Sequence, residues 1–152
     1  MKFKVRNAVQ EDLETLVPLM KELVEIFDEK FDDERSRISF KKILADPIQS
    51  RCIIVAESED ARVIMGMITS EVKLTSAGDT TGIIKNLIVK EKFRKKGVGK
   101  ELVRKALERL KEIPVKDVLV NIRDTQVFAL KIYNEMGFKK KFSVMSLSFE
   151  GE

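Results

Sequence analysis

The sequence predicts an α/β (α+β) fold: one mixed β-sheet with helices on both faces, in the order β-α-α-β-β-β-α-β-α-β. Three observations predict it. Alternating apolar runs in the middle of the chain are joined by short polar turns, as antiparallel hairpins require. A strand-helix-strand crossover comes next, and such a connection leads to parallel pairing. The 152 residues are 43% hydrophobic and 36% charged, enough apolar material for one core and too short a chain for two full-sized domains. A single domain spanning residues 1–152 is expected.

Each element has its own signal. Lys2 to Asn7 alternates like a short strand. From Gln10 to Lys30, Leu13, Leu16, Val17, Met20, Val24 and Phe27 recur every three or four residues, which places them on one helix face. Pro18 should kink that helix or sit near its first turns. A second helical stretch, Asp33 to Ala45, ends before Asp46-Pro47, because a residue preceding proline resists the helical region. Arg51 to Glu57 and Arg62 to Leu74 read as a hairpin about Glu59-Asp60. Thr75 to Gly82 reads as a loop and Ile83 to Val89 as a third long strand. Leu102, Val103, Ala106, Leu107, Leu110 and Ile113 form an amphipathic stripe that Pro114 ends. Asp117 to Ile122 is strand, Gln126 to Met136 is helix with Thr125 as N-cap, and Phe138 to Phe149 alternates like a final strand.

Absences narrow the chemistry. The chain has no histidine, no tryptophan, one cysteine (Cys52) and one tyrosine (Tyr133). No Ser-His-Asp or Cys-His couple can be built, and one cysteine without histidine cannot hold zinc. Only an oxygen-ligand magnesium or calcium site would remain as a metal option, and no metal is expected. No disulfide can form within the chain, and Cys52 opens an apolar run that places it in a buried strand. The longest uncharged apolar run, Val63 to Ile68, has six residues, against the roughly 18 of a membrane span. The amino terminus reaches charge again within two residues, so a cytoplasmic protein is expected.

Charge is polarised. Lys90 to Lys111 holds ten Lys or Arg and three Glu, a net of +7, whereas Glu11 to Glu34 holds ten acidic residues against two lysines, a net of −8. Such a division suits two partners of opposite charge, and it suits equally well two solvated helix faces.

The most informative stretch runs from Ile83 through Lys90-Glu91-Lys92-Phe93-Arg94-Lys95-Lys96-Gly97-Val98-Gly99-Lys100 to Leu102: strand, basic glycine-bearing turn, helix. Backbone N–H groups converging in such a turn, with the positive end of the helix behind them, favour an anionic phosphate. The glycines let a ligand approach the backbone, and Lys95, Lys96 and Lys100 add positive charge. A dinucleotide-binding Gly-x-Gly-x-x-Gly would need glycine in place of Leu102. A P-loop would need glycine at Arg94 and Ser or Thr at Glu101.

Arg94-Lys95-Lys96-Gly97-Val98-Gly99 resembles motif A of the GNAT superfamily of acyl-coenzyme-A-dependent N-acyltransferases, Gln/Arg-x-x-Gly-x-Gly/Ala. Leu87-Ile88-Val89 resembles that family's Leu-x-Val segment, and Ala129 to Phe138 its Ala-x-x-x-Tyr-x-x-x-Gly-Phe segment. Val5-Arg6-Asn7-Ala8, with Asp12 after it, resembles its opening. The resemblance implies a sheet splayed into a V with coenzyme A in the opening. It implies that the main chain of Leu87, Ile88 and Val89 binds the pantetheine arm and acyl carbonyl. It also implies that the turn from Arg94 to Lys100, Val98 included, wraps the pyrophosphate. Gln126 stands where the family commonly has a cofactor-contacting asparagine, and Tyr133 matches the tyrosine that protonates the leaving thiolate. Val98 is also the first packing residue of its helix, and Tyr133 by spacing alone would be core. Asn121 occupies a position where some relatives carry a glutamate base, so no base is inherited there.

The activity so implied is transfer of an acetyl group from acetyl-CoA to a primary amine, on a small molecule, a polyamine or a peptide, by direct attack in a ternary complex. A lysine-like amine of pKa about 10.4 must lose a proton at pH 7 at a cost of roughly 4.6 kcal/mol, an α-amine near 8 only about 1.4. Glu57, Glu71 and the Asp28 to Glu34 run are candidate bases, and that acidic run would draw in a cationic amine. Lys85 and Asn86 would face either the substrate or the opposite side of the sheet. Expected partners are therefore acetyl-CoA and an amine acceptor, with no membrane and with a homodimer left open. The competing classes are a non-catalytic acyl-CoA-binding module and, opposed by the −8 segment, a nucleic-acid-binding domain.

Overall fold

The computed structural model describes residues 2–46 and 50–150. Its sheet has five strands in the order β1-β2-β3-β4-β5, namely β1 (Phe3–Asn7), β2 (Arg51–Ser58), β3 (Ile64–Leu74), β4 (Thr80–Val89) and β5 (Val118–Val120). The first four are antiparallel neighbours, and β5 runs parallel to β4. That change of sense is the work of the helix α3 (Val98–Lys111), which carries the chain back across the sheet. The other helices are α1 (Leu13–Ile26), α2 (Asp33–Leu44) and α4 (Val127–Glu135).

Strand alternation divides the apolar residues between two faces. Cys52, Ile54, Ile68, Ile84, Leu87 and Val89 pack under α3 and α4 with Leu102, Ala106, Leu110 and Tyr133. Ile53, Val55, Met67 and Ile88 pack under α1 and α2 with Leu16, Leu19, Leu23 and Phe40. Both faces are covered, so the central strands read as near-continuous hydrophobic runs. One turn of 3-10 helix, Gln10–Asp12, leads into α1, where Pro18 is accommodated at an exposed position. Asp32 caps α2 by accepting a hydrogen bond from the Arg35 amide at 3.0 Å. The Arg6 guanidinium donates to both oxygens of Asp12, at 2.8 and 3.0 Å, and to Glu57 at 2.9 Å. These bonds fasten β1 to the start of α1 and to β2.

Four expectations need correction. Thr80 to Gly82 is strand, not loop: these residues pair with Leu74, Lys73 and Val72, and the Thr75 amide bonds to the Asp79 carbonyl to close the hairpin. β5 spans only Val118–Val120 because it pairs with β4 only at Gly82–Ile84. Gln126, not Thr125, occupies the N-cap position of α4, without a capping hydrogen bond from its side chain. The strand expected from Phe138 to Phe149 does not form. Phe142 and Val144 fall on one face of the alternation and Met145, Leu147 and Phe149 on the other, so the segment offers no polar side. All five are exposed. Alternation describes a segment's capacity to be a strand; a ladder also needs a neighbouring edge, and three-residue β5 offers little.

Candidate active site

β4 reaches the site with a defect built in. Asn86 takes φ +60, and the ladder to β3 shifts register between Met67 and Thr69. This is a bulge, which bends the strand and re-aims Leu87 to Val89. Since β5 leaves after Ile84, Lys85 to Val89 has no partner strand on that side among the described residues. The side chains of Leu87, Ile88 and Val89 are buried, so what they present along the free edge of β4 is main chain.

Past Val89 the Lys90 amide donates to Met65 at 2.9 Å, and a 3-10 turn, Glu91–Phe93, buries Phe93. The Arg94 guanidinium turns back: its Nε donates to the Val89 carbonyl at 2.9 Å, and its carbon lies 5.1 Å from the Phe128 ring centre. Arg94 therefore fixes the turn to the strand. Lys95 (φ +63) and Gly97 (φ +82) adopt left-handed conformations that bring the chain round to α3, with Gly97 as its N-cap. Lys95, Lys96 and Gly97 are exposed, whereas Val98 and Gly99 are buried. Exposed residues leading into the N-terminus of a 14-residue helix suit an anion chemically.

The two glycines differ. A Cβ on Gly97 would meet no protein atom within 4 Å, which leaves that side open to a ligand. On Gly99 it would lie 2.5 Å from Ile132 Cδ1. The reading of Gly99 as a glycine required by ligand approach is thereby corrected: α4 requires it. Lys100 pairs with Glu135 of α4 at 2.7 Å, and Arg104 and Lys105 pair with Glu101 and Glu108. Three of the ten cations of the basic stripe are thus paired on α3 and α4, and of their partners only Glu135 lies outside the stripe's own count.

Tyr133 lies in the same apolar cluster as Leu87, Val89 and Val98. It is 4% exposed, and its ring meets Phe138 edge-on, 5.2 Å between centres. Burial pushes its phenol well above its ordinary range, so it stays protonated at neutral pH. The Gln126 amide oxygen accepts from the Arg123 amide at 2.9 Å, which leaves its NH₂ for any other contact. Asn121 is exposed. The Cys52 thiol is raised by burial, against the pull of Arg109, and donates to Asn7 Oδ1 at 3.6 Å. It is a packing residue.

On the other face a cavity of about 230 Å³ opens between the sheet and α1–α2. Met20, Phe40 and Ile43 form its apolar wall, with Ser36 and Ser39 beside them. The strands supply Arg51, Thr69, Lys85 and Asn86. Lys85 and Asn86 thus face this cavity, and Arg51 and Thr69 were missed from sequence. Their signal is a shared face on three neighbouring strands, visible only once the register is known. Glu71, 5% exposed, pairs with Lys85 at 3.3 Å and with Lys73 at 3.5 Å. Arg6 engages the Glu57 carboxylate and holds it below its usual range, which makes it a weaker base. The acidic run does not line the cavity. Asp32 caps α2, Asp33 binds Arg37, and Glu29 binds Arg123.

Residues 16–138 match the profile of the Acetyltransferase (GNAT) family. A 56-residue stretch, 37% of this chain and 36% of the relative, is 34% identical to the uncharacterized N-acetyltransferase YvbK of Bacillus subtilis (strain 168). The match thus spans about a third of that relative's length. The crystal structure of a probable acetyltransferase superposes with a TM-score of 0.81 at 22% identity, covering 98% of this chain and 99% of that one. A predicted acetyltransferase from Clostridium acetobutylicum, solved with acetyl-CoA, gives 0.79 at 16% identity, covering 98% and 97%.

Proposed function

Because the chain belongs to the GNAT acetyltransferase family, we propose that it transfers an acetyl group from acetyl-CoA to a primary amine by direct attack in a ternary complex. The observation that carries this reading is the continuity of the open β4 edge, the Arg94–Lys100 turn and the N-terminus of α3, with Tyr133 in the same cluster. Acetyl-CoA supplies the acyl group activated as a thioester. The main chain of Leu87–Val89 orients the arm and the acyl carbonyl. Exposed amides of the turn, with Lys95 and Lys96, hold the pyrophosphate, and the Gln126 NH₂ adds a donor. Tyr133 gives its phenolic proton to the departing thiolate; burial keeps the phenol protonated but makes it a weaker acid, so the transfer relies on positioning against the thiolate.

A cysteine-linked acyl-enzyme has no parts here, since Cys52 is buried and no histidine exists to activate it. The carboxylate of Glu71 is engaged by Lys85 and Lys73 beside the cavity wall, and no base is assigned. The test is product mass spectrometry with acetyl-CoA across amines, peptides and polyamines, with initial rates on the best acceptor. Acetylated product and intersecting reciprocal plots are expected. Parallel plots would overturn direct transfer, and tight acetyl-CoA binding with no product from any amine would make the chain a non-catalytic binding module.

A further inference from the structure

We propose that the acceptor carries an anionic group, a carboxylate or phosphate, a few bonds from its amine, and that Arg51 and Lys85 bind that group. This rests on the acetyl-transfer reading for what the cavity is used for, and on the cavity itself for its chemistry.

The ladder brings the cations together. Ile53, Val55 and Met67 all point into the α1–α2 core, and Arg51 and Thr69 lie two residues from Ile53 and Met67, so they continue that face to the cavity wall. Thr69 is opposite Lys85. Lys73 and Lys85 engage the carboxylate of Glu71, and Arg51 stands opposite Glu71 in the ladder. Arg51 has no ion-pair partner among the described residues, and the sequence Pro47-Ile48-Gln49 carries no carboxylate. A half-buried guanidinium on a cavity wall, with no ion-pair partner among the described residues, suits a carboxylate or phosphate, which it can grip with two parallel N–H bonds.

An independent observation points the same way. Thr69 is 1% exposed, and its hydroxyl has no hydrogen-bond partner although it lines the cavity. A buried hydroxyl left unmatched marks a ligand site or bound water. Ser36 and Ser39 add hydroxyls from α2. The volume of about 230 Å³ falls below the roughly 300–1,000 Å³ of drug-sized sites, so the occupant is a small molecule. Asn86, which shares the wall, immediately precedes Leu87. A molecule anchored on Arg51 therefore extends its amine toward the edge where the acyl group is read to lie.

The test uses matched pairs with acetyl-CoA: O-phosphoethanolamine against ethanolamine, and β-alanine against 3-aminopropanol. The anionic member of at least one pair should show roughly 10-fold higher kcat/KM, the scale of a hydrogen bond to a charged group. Which pair responds separates phosphate from carboxylate. Arg51→Gln should collapse that ratio through KM, and Arg51→Lys should keep part of it. Amine basicity is a property of the substrate, so it cancels between the enzymes. Equal or better use of the neutral members, or a ratio that survives Arg51→Gln, would overturn the proposal. Calorimetry of the same four compounds on protein saturated with coenzyme A reads binding without turnover. Heat from an anionic member that Arg51→Gln removes supports the proposal even if no product forms, an outcome that would count against acetyl transfer alone. No heat from either anionic member would overturn it.

Discussion

A Cβ on Gly99 would stand 2.5 Å from Ile132 Cδ1 and 3.2 Å from Phe128 Cζ, so the second glycine of the turn is set by the contact of α3 with α4. Gly99→Ala should therefore cost about 1–3 kcal/mol by overpacking. Ile132→Val, which removes the clashing methyl, should recover part of that loss in the double variant, as thermal denaturation would read. Gly97→Ala meets no atom, but it pays about 1–2 kcal/mol for the left-handed conformation. It should also weaken acetyl-CoA binding, because its methyl would occupy the open side of the turn. Equal stability for Gly99→Ala and wild type would contradict the packing account.

The Arg6–Asp12–Glu57 cluster should govern acid stability. Burial alone would raise the Asp12 carboxyl, but the Arg6 hydrogen bonds, the Val9 amide and the Arg6 charge outweigh it and hold the group below its ordinary value. Glu57 is lowered chiefly by its bond to Arg6. With folded values below unfolded ones, the unfolded chain takes up more protons as pH falls. The stabilisation is therefore complete above the carboxylate range near 4 and lost below it. Urea midpoints between pH 6 and 3 should fall more steeply for wild type than for Arg6→Ala. Parallel slopes would refute the assignment.

Because the Arg94 guanidinium donates to the Val89 carbonyl and lies over Phe128, its role is to hold the turn. Arg94→Ala should lower stability and acetyl-CoA affinity while leaving the salt dependence of that affinity unchanged. Lys95→Ala with Lys96→Ala, at positions open to solvent, should flatten the salt dependence and spare stability. Calorimetry at two ionic strengths separates the cases, and a flattened slope in Arg94→Ala would place its charge on the phosphates.

Tyr133→Phe keeps the ring and its edge contact with Phe138 while removing the hydroxyl. Stability should hold and kcat should fall roughly 10²-fold, the range for a positioned acid. Because burial raises the phenol, wild-type kcat should show no loss from its ionisation up to its ordinary value near 10. Full kcat in Tyr133→Phe, with chemistry rate-limiting, would leave the thiolate to take its proton from water.

The strand, turn and helix from Ile83 to Leu102 were legible because their signals are local: an apolar run, paired glycines and an amphipathic period. The two-faced sheet was legible from hairpin spacing. The face of α1 was only partly legible. Leu19 and Leu23 are buried while Val24 and Phe27 are more open to solvent, since the helix must pack against both the sheet and α2. What was lost depends on pairing. Arg51, Thr69 and Lys85 share a wall only through the β2–β3–β4 register. The run from Asp28 to Glu34 was legible as charge but not as pairing: Asp32 caps α2, Asp33 binds Arg37 and Glu29 binds Arg123. The tail from Phe138 to Phe149 carried alternation without an edge to pair with.

Amide chemical shifts monitored while acetyl-CoA is titrated into ¹⁵N-labelled protein test the cofactor site most directly. The largest changes are expected at Leu87 to Val89 and at Lys95 to Lys100, with the outer surface of α2 unmoved. Saturable binding that leaves those two segments unperturbed, or shifts confined to the Arg51 wall, would contradict the account.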